Sequence, residues 1–310
     1  MLVLFVRSIG NAFHSPASSA VTPLMVPQDQ LTKCAGYNQT MQAAVSLISP
    51  AAAAFLYSVW SLSTIILLDI IGAVLACSVV AVLSIPNPPI CPGESQNSFF
   101  RDMKEGYFEL KKNKGLFALL WIGTAYMFFF MPISALYPLM SMGYFRGTPT
   151  HASIAEIAFA GGMLAGGILL SVWGGFKNRI FSIGLSVLVM GVSIAISGLL
   201  PTNAFFIFVI CCTVMGLTSP FYGVQNALFQ EQLPPEYLGR VFSLLGSVMS
   251  FAMPLGLLCS GIFAERIGVE KWFLLCGIGI IAVAVLVFVL PVLRNVDCQS
   301  QNSFACKSGD

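Results

Sequence analysis

The sequence predicts an all-α, polytopic membrane protein, and two observations support that prediction. Of the 310 residues, 57% are hydrophobic and only 9% are charged. Soluble domains carry about 25% charged residues, so a soluble fold of this length would lack the polar surface to cover itself. The apolar residues form nine runs, each close to the roughly 20 residues that a helix needs to cross a bilayer. The runs are 2–25, 39–58, 62–85, 115–142, 152–175, 180–200, 204–228, 240–264 and 271–293.

The gaps between the runs are short, except for residues 86–114. This gap begins Pro-rich and then places apolar side chains at helical spacing, which predicts an amphipathic surface helix. These side chains are Phe99, Phe100, Met103, Tyr107 and Leu110. We expect this helix to connect two bundles rather than to bind a target.

Basic residues fall unevenly on the two sides of the predicted membrane. One side holds Lys33, Arg101, Lys104, Lys111, Lys112, Lys114, Lys177, Arg179, Arg240, Arg294 and Lys307, and the other holds Arg146, Arg266 and Lys271. Loops rich in Lys and Arg stay in the cytoplasm. The bias therefore predicts a cytoplasmic linker and a cytoplasmic C-terminus.

Composition also bears on other classes of function. Five of the nine cysteines lie within apolar runs, where they act as small hydrophobic residues: Cys77, Cys211, Cys212, Cys259 and Cys276. Spacings typical of a metal site are absent from the sequence, so we expect no metal. A membrane-embedded enzyme needs a nucleophile with a base, or metal ligands. The two histidines, His14 and His151, and the two acids within spans, Asp69 and Glu156, do not favour that class.

Two segments about 205 residues apart resemble each other, namely 14–53 and 218–258. Each has Ser-Pro in a predicted helix, then a Pro-x-acidic-x-Leu loop, then a helix with a central proline. Duplicated halves of transporters leave such traces. If the second segment holds helices four and five of six, the first belongs to an equivalent bundle, and three helices would precede Met1. A genuine nine-helix protein is the alternative.

This repeat predicts four domains. Residues 1–85 are helices four to six of an N-terminal bundle, 86–114 are the cytoplasmic linker, 115–294 are a complete C-terminal six-helix bundle and 295–310 are a cytoplasmic tail. The predicted fold thus has nine transmembrane helices, arranged as three plus six.

Five stretches of the sequence carry a family resemblance. They are RSIGNAFHSPA (7–17), VTPLMVPQDQLTKCAGYNQ (21–39), NKGLFALLWIGTAYMFFFMPISALYPL (113–139), SGLLPTNAFFIFVICCTVMG (197–216) and PPEYLGRVFSLLGSVMSFAMPLGLLCSGIFAERIG (234–268). The chain resembles the macrolide efflux branch of the major facilitator superfamily, whose fold has two six-helix bundles; here the first three helices are lacking.

The resemblance implies a multi-pass protein of the bacterial cytoplasmic membrane that exports macrolide antibiotics in exchange for protons by alternating access. It implies a lipophilic small-molecule substrate and the lipid bilayer as partners, with no nucleic acid. It implies no cofactor, the proton gradient being the energy source, and it leaves open an ATP-binding-cassette partner protein. An exporter of other drugs, a solute permease and an inactive copy remain alternatives.

Charged residues inside spans are functional candidates, because each costs about 2.5 to 3.5 kcal/mol to insert. The proton-coupling candidates are Asp69, Glu156 and Arg7. Asp69 is the predicted proton acceptor, since a low dielectric favours the neutral carboxyl. Permanent pairing of Asp69 with Arg7, or a hydrogen bond from Asp69 between helices, is the alternative.

Further candidates are polar or aromatic residues on spans and residues at cytoplasmic turns. The substrate-cavity candidates are Gln42, Tyr126, Phe129, Tyr222, Gln225 and Asn226, and the gating or helix-end candidates are Lys177, Arg179, Gly239 and Arg240. Gly162 and Gly166 form a small-xxx-small pair that predicts close helix packing.

Overall fold

The computed structural model describes residues 21–27, 30–60, 62–82, 99–176 and 178–293. Residues 21–25 are helical. The longer elements within those ranges are also helices: α1 Leu31–Val59, α2 Leu62–Val82, α3 Phe99–Lys112, α4 Lys114–Leu139, α5 Pro149–Trp173, α6 Arg179–Leu199, α7 Phe205–Tyr222, α8 Val224–Gln232, α9 Pro235–Ile267 and α10 Val269–Val289, with a π-helical turn, Met140–Tyr144, extending α4. The predicted all-α fold is confirmed. Arg7 and Lys177 lie outside the described residues.

Six helical segments in the described part of the chain are long and apolar enough to cross a membrane. They are Lys114–Tyr144, Thr150–Trp173, Arg179–Leu199, Phe205–Gln232, Glu236–Ile267 and Val269–Val289. These segments correspond to the last six predicted runs. Helices α1 and α2 cover the second and third runs, and most of the first run lies outside the described residues.

Two helices begin earlier than the hydropathy pattern predicts. Helix α9 begins at Pro235 rather than at residue 240, with Pro234 as its N-cap. Proline suits the first turn of a helix, because its fixed φ is helical and an amide N–H is not needed there. Helix α1 begins at Leu31 rather than at residue 39, so its first two turns carry polar residues that hydropathy assigned to a loop.

Small residues allow helices α5 and α7 to pack backbone against backbone. A Cβ atom added at Gly162 would overlap the carbonyl oxygen of Thr213, and one added at Gly166 would overlap that of Leu217. From the facing helix, a Cβ at Gly216 would overlap the carbonyl oxygen of Phe159. In lipid there is no hydrophobic driving force that brings helices together, so the van der Waals contacts of this close approach stabilise the helix pair instead.

Helix α1 also packs closely against α5, and here too glycines allow the two backbones to approach. A Cβ at Gly36 would lie 2.7 Å from the backbone nitrogen of Ser171, and one at Gly167 would lie 2.8 Å from that of Thr40. The Thr40 and Ser171 hydroxyls donate hydrogen bonds to the carbonyl oxygens of Gly36 and Gly167, at 2.9 and 2.6 Å. This contact joins the N-terminal part of the chain to the bundle that follows.

Prolines shape helix α4. Pro132 has no N–H to offer the carbonyl of Phe128, and Gly256 of α9 packs there, where a Cβ would lie 2.5 Å from that oxygen. A second proline, Pro138, precedes the π-helical turn, whose Tyr144 donates a hydrogen bond to the carbonyl oxygen of Leu200 at 2.7 Å. Prolines and π-helical turns are common causes of bends. Helix α4 therefore has an irregular C-terminal half anchored to the loop after α6.

Candidate functional site

A stack of aromatic rings joins α4 to α7. The rings of Tyr126 and Tyr222 lie 4.2 Å apart with an interplanar angle of 27°, and Phe130 stacks on Tyr126 at 5.4 Å. Tyr126 is 2% exposed, so its ring is enclosed by the bundle. The sequence singled out both tyrosines separately, and the structure brings them together.

Gln225, at the start of α8, lies beside this stack and is only 2% exposed. Its Nε2 donates a hydrogen bond to the carbonyl oxygen of Leu119 at 3.1 Å. Its Oε1 and the Tyr222 hydroxyl are both buried and have no hydrogen-bond partner among the described residues. Leaving a buried polar atom unpaired costs about 1 to 3 kcal/mol, which makes these two atoms the natural place for a hydrogen-bonding ligand.

Gly123 is the residue of α4 against which these polar atoms lie. A Cβ there would be 2.7 Å from Gln225 Nε2, 2.9 Å from Tyr222 Oη and 2.9 Å from Met249 Cε. We call Gly123, Tyr126, Tyr222, Gln225 and Met249 the polar-aromatic cluster. The sequence analysis missed Gly123 and Met249, because a lone glycine or methionine in an apolar run carries no signal of its own.

The remaining cavity candidates lie elsewhere. Phe129 packs on α10, where a Cβ at Gly279 would be 2.7 Å from its ring. Asn226 is exposed on α8, and Gln42 is exposed on α1. One turn before Gln42, Gln39 reaches the junction of α7 and α8, with its Nε2 3.2 Å from a Cβ placed on Gly223. The sequence analysis did not single out Gln39.

The proton-coupling candidates are not brought together in the part of the chain that the structure describes. Glu156 is exposed in the first half of α5. Asp69 lies in α2, a helix that makes few contacts with α1, and Arg7 precedes the described residues. Their assignment stays a prediction.

An ion pair closes one end of the bundle. Arg179, the first residue of α6, lies 3.3 Å from Glu231 of α8, whose side chain is 3% exposed. Arg179 also donates a hydrogen bond to the carbonyl oxygen of Gly174 at 3.2 Å, and Gly174 has φ +77°, which favours glycine. The sequence analysis named Arg179 but not Glu231, which it placed in the turn preceding α9.

A second ion pair at this end holds the amphipathic helix α3. Arg240 lies 3.3 Å from Glu105, and its guanidinium lies 5.8 Å from the ring centre of Tyr237. The neighbouring Gly239 faces open space, since a Cβ there would meet no described atom within 4 Å. Arg240 therefore fixes the start of α9 to α3.

A groove of about 610 Å³ opens at the same end, between the α3–α4 corner and the last described residues. It is lined by Glu109, Lys112, Asn113, Lys114, Gly115, Gln232, Leu233, Pro234, Pro291 and Val292. The side chain of Asn113 donates a hydrogen bond to Gln232 Oε1 at 3.3 Å across this groove and caps α4 by accepting from the Gly115 and Leu116 amides. Residues from the predicted cytoplasmic turns thus meet at a single end of the molecule.

Membrane-length helices packed around a buried polar-aromatic cluster, with ion pairs at one end of the bundle, are the architecture of a multi-pass membrane protein. The sequence pattern of the Major Facilitator Superfamily matches residues 1–256 and 122–302. The chain belongs to this superfamily, and it is therefore a transport protein rather than an enzyme.

Relatives and a solved structure agree with that assignment. The chain is 57% identical to Macrolide efflux protein A of Streptococcus pyogenes over 298 residues, which are 96% of this chain and 74% of that protein. It is 58% identical to Macrolide efflux protein A of Enterococcus faecalis over 258 residues, covering 83% and 80% of the two chains. A bacterial homologue of the iron transporter ferroportin, in an outward-facing state, has the same fold, with a TM-score of 0.62, 14% identity and coverage of 95% and 70%.

Proposed function

We propose that this chain provides most of an exporter of macrolide antibiotics. The observation that supports this proposal is the 57% identity to a macrolide efflux protein across 96% of the chain. The 298 matched residues are 96% of the chain, so the match includes the helices that hold the polar-aromatic cluster. A multidrug exporter of different specificity is the alternative that the experiment below distinguishes.

The polar-aromatic cluster is the proposed substrate-facing part of the C-terminal bundle. A macrolide presents a large apolar ring with hydroxyl groups, and such a ligand matches aromatic surface with a few placed polar atoms. The hydroxyl of Tyr222 donates or accepts a hydrogen bond, and Gln225 Oε1 accepts one. We propose that rearrangement of α4 against α7 exposes both atoms to a substrate cavity between the two bundles, the cavity to which the sequence analysis assigns Gln42, Phe129 and Asn226.

Energy coupling by protons is a further proposal, with Asp69 as the acceptor and Glu156 and Arg7 as accessory groups. The support is physical: a carboxyl in low dielectric is driven toward its neutral form, so it loads and releases a proton as the access changes. An ATP-binding-cassette partner remains a prediction.

Orientation and domain organisation complete the proposal. We place the end that carries Arg179, Arg240 and Lys112 in the cytoplasm, together with the C-terminus, on the strength of the positive-inside rule. Residues 1–85 then correspond to helices four to six of an N-terminal bundle, and 115–294 to the C-terminal bundle. The Arg179–Glu231 pair, with Lys177 beside it in sequence, holds helix ends together at the cytoplasmic gate.

Drug susceptibility tests the substrate assignment. Cells of a macrolide-sensitive bacterium would express the 310-residue chain, or the same chain extended by the part of the Streptococcus pyogenes relative that this chain does not cover. We expect the extended form to raise the inhibitory concentration of macrolides and to lower the accumulation of a radiolabelled macrolide. Protection against unrelated drugs but not macrolides would overturn the assignment.

A substitution at Asp69 tests the proposed coupling of export to protons. In the extended form, Asp69→Asn should abolish export driven by a pH gradient in vesicles, because an amide carries no exchangeable acid proton. Glu265→Gln, a charge-matched change at an exposed acid near the end of α9, is the control. Export that persists in Asp69→Asn would remove this residue as the proton acceptor.

A further inference from the structure

Helix α3 is attached to the bundle through one of its sides. Gly106 and Leu110 are buried, and a Cβ at Gly106 would lie 3.1 Å from the backbone carbonyl of Arg240. The ion pair between Glu105 and Arg240 reinforces this attachment. The contacts fix the rotation of α3 about its own axis, and so they determine which side chains its other face presents.

The acidic side chains of the described part of α3 are engaged within the protein. Glu105 pairs with Arg240, and Glu109 accepts a hydrogen bond from Lys112. Glu109 is 18% exposed, whereas Lys112 is 72% exposed. The hydrogen bond to Glu109 raises the pKa of the Lys112 ammonium. The charge that the described side chains of this helix show to their surroundings is therefore positive.

The face of α3 that is turned away from the bundle carries two lysines and two aromatic rings. Tyr107 is 36% exposed and Phe108 is 51% exposed. The ammonium of Lys111 lies 5.9 Å from the ring centre of Tyr107, and that of Lys104 lies 5.9 Å from that of Phe108. We call these four residues the lysine-aromatic face. Lysine side chains that run over apolar surface and end in a charged head are typical of the water–lipid boundary.

The lysine-aromatic face continues onto a membrane-length helix. The Tyr107 ring contacts Phe117 edge to face at 5.7 Å, and Phe117 contacts Trp121 in the same manner at 6.3 Å. Trp121 is 55% exposed on α4, which is apolar enough to span a bilayer. Exposed Trp and Tyr near the end of a membrane helix mark the level of the lipid headgroups. The row of rings therefore places α3 at that level.

We propose that the lysine-aromatic face, formed by Lys104, Tyr107, Phe108 and Lys111, binds the headgroups of anionic phospholipids in the adjoining leaflet. The ammonium groups contact the lipid phosphates, and the rings lie among the glycerol and upper acyl groups. An acidic protein segment fits less well, because the face is half aromatic and is continuous with an exposed tryptophan on a membrane-length helix. The site is separate from the polar-aromatic cluster and does not depend on the transported compound.

Lipid retention measured by native mass spectrometry tests the proposal. The purified 310-residue chain would be equilibrated in mixed micelles with equal amounts of phosphatidylglycerol and phosphatidylcholine. Each lysine near an anionic surface contributes about fivefold to binding, so Lys104→Gln with Lys111→Gln should reduce the preference for phosphatidylglycerol by about 25-fold. Lys271→Gln, a change of the same type at an exposed lysine at the start of α10, should leave it unchanged.

Two results would overturn the proposal. One is a double variant that keeps the wild-type preference while eluting as a folded, monodisperse species. The other is an equal loss in Lys271→Gln, which would show that total charge rather than this face selects the lipid.

A measurement on the unmodified chain tests the electrostatic nature of the site independently. In 0.5 M salt the Debye length falls to about 4 Å, so most of the preference for phosphatidylglycerol should be lost. An unaltered preference would contradict an electrostatic site.

Discussion

At the scale of single residues, Gly123 leaves the space that the side-chain ends of the polar-aromatic cluster occupy. An alanine Cβ would lie 2.7 Å from Gln225 Nε2, so the amide would have to shift away from the carbonyl oxygen of Leu119 that it binds. We expect Gly123→Ala to be less stable than Gly161→Ala by about 1 to 3 kcal/mol, the cost of unpairing a buried polar group. Thermal unfolding in detergent measures the difference.

Gly161 is a suitable control because both glycines lie within helices, so the gain in helix propensity is common to the two variants. A Cβ at Gly161 would meet no described atom within 4 Å. Equal melting temperatures would contradict the role assigned to Gly123.

The Arg179–Glu231 pair gives a second prediction at this scale. Because Glu231 is 3% exposed, Arg179→Gln would remove the arginine that pairs with a buried carboxylate. Loss of one member of such a pair costs roughly 3 kcal/mol or more. The double variant, Arg179→Gln with Glu231→Gln, should be more stable than Arg179→Gln alone. A double variant whose loss equals the sum of the single losses would show that the two residues are not coupled.

At the scale of elements, the contact between α1 and α5 holds the N-terminal helices to the bundle. A valine at Gly167 would meet the backbone of Thr40, which cannot move without shifting α1. We expect Gly167→Val to speed hydrogen–deuterium exchange throughout α1 while α6 and α10 stay protected, because overpacking costs about 1 to 3 kcal/mol.

Gly161→Val is again the matched control, since it introduces the same side chain into the same helix. Its exchange pattern should equal that of the unmodified chain. Unchanged exchange of α1 in Gly167→Val would mean that the α1–α5 contact is not what attaches this helix.

At the scale of the whole molecule, orientation in the membrane is the property to test. In a cysteine-free background, a cysteine replacing Lys112 should react with a membrane-impermeant maleimide only after the cells are opened. A cysteine replacing Arg146, an exposed residue of the loop before α5, should react in intact cells. The reverse pattern would overturn the proposed cytoplasmic position of α3, and with it the choice of leaflet for the lipid site.

Much of the fold was predictable from the sequence because insertion into lipid depends on the composition of a continuous run. Six apolar runs match six membrane-length helices, and the amphipathic spacing in residues 99–112 matches α3. Helix ends were less predictable where polar residues continue a helix, as at Leu31 and Pro235. Hydropathy measures where lipid surrounds a helix rather than where its backbone hydrogen bonds stop.

The sequence by itself determined the class of the protein, its family and the segments that become helices, since each of these depends on residues close together along the chain. Only the tertiary structure decided which side chains meet. The Gln225–Leu119 hydrogen bond joins residues 106 apart, and the Arg179–Glu231 pair joins residues 52 apart. Helices such as α4 and α10 are apolar on every side, so no periodic pattern indicates which face turns inward. Close packing at glycines constrains that rotation, and the resulting faces bring the residues of the polar-aromatic cluster together.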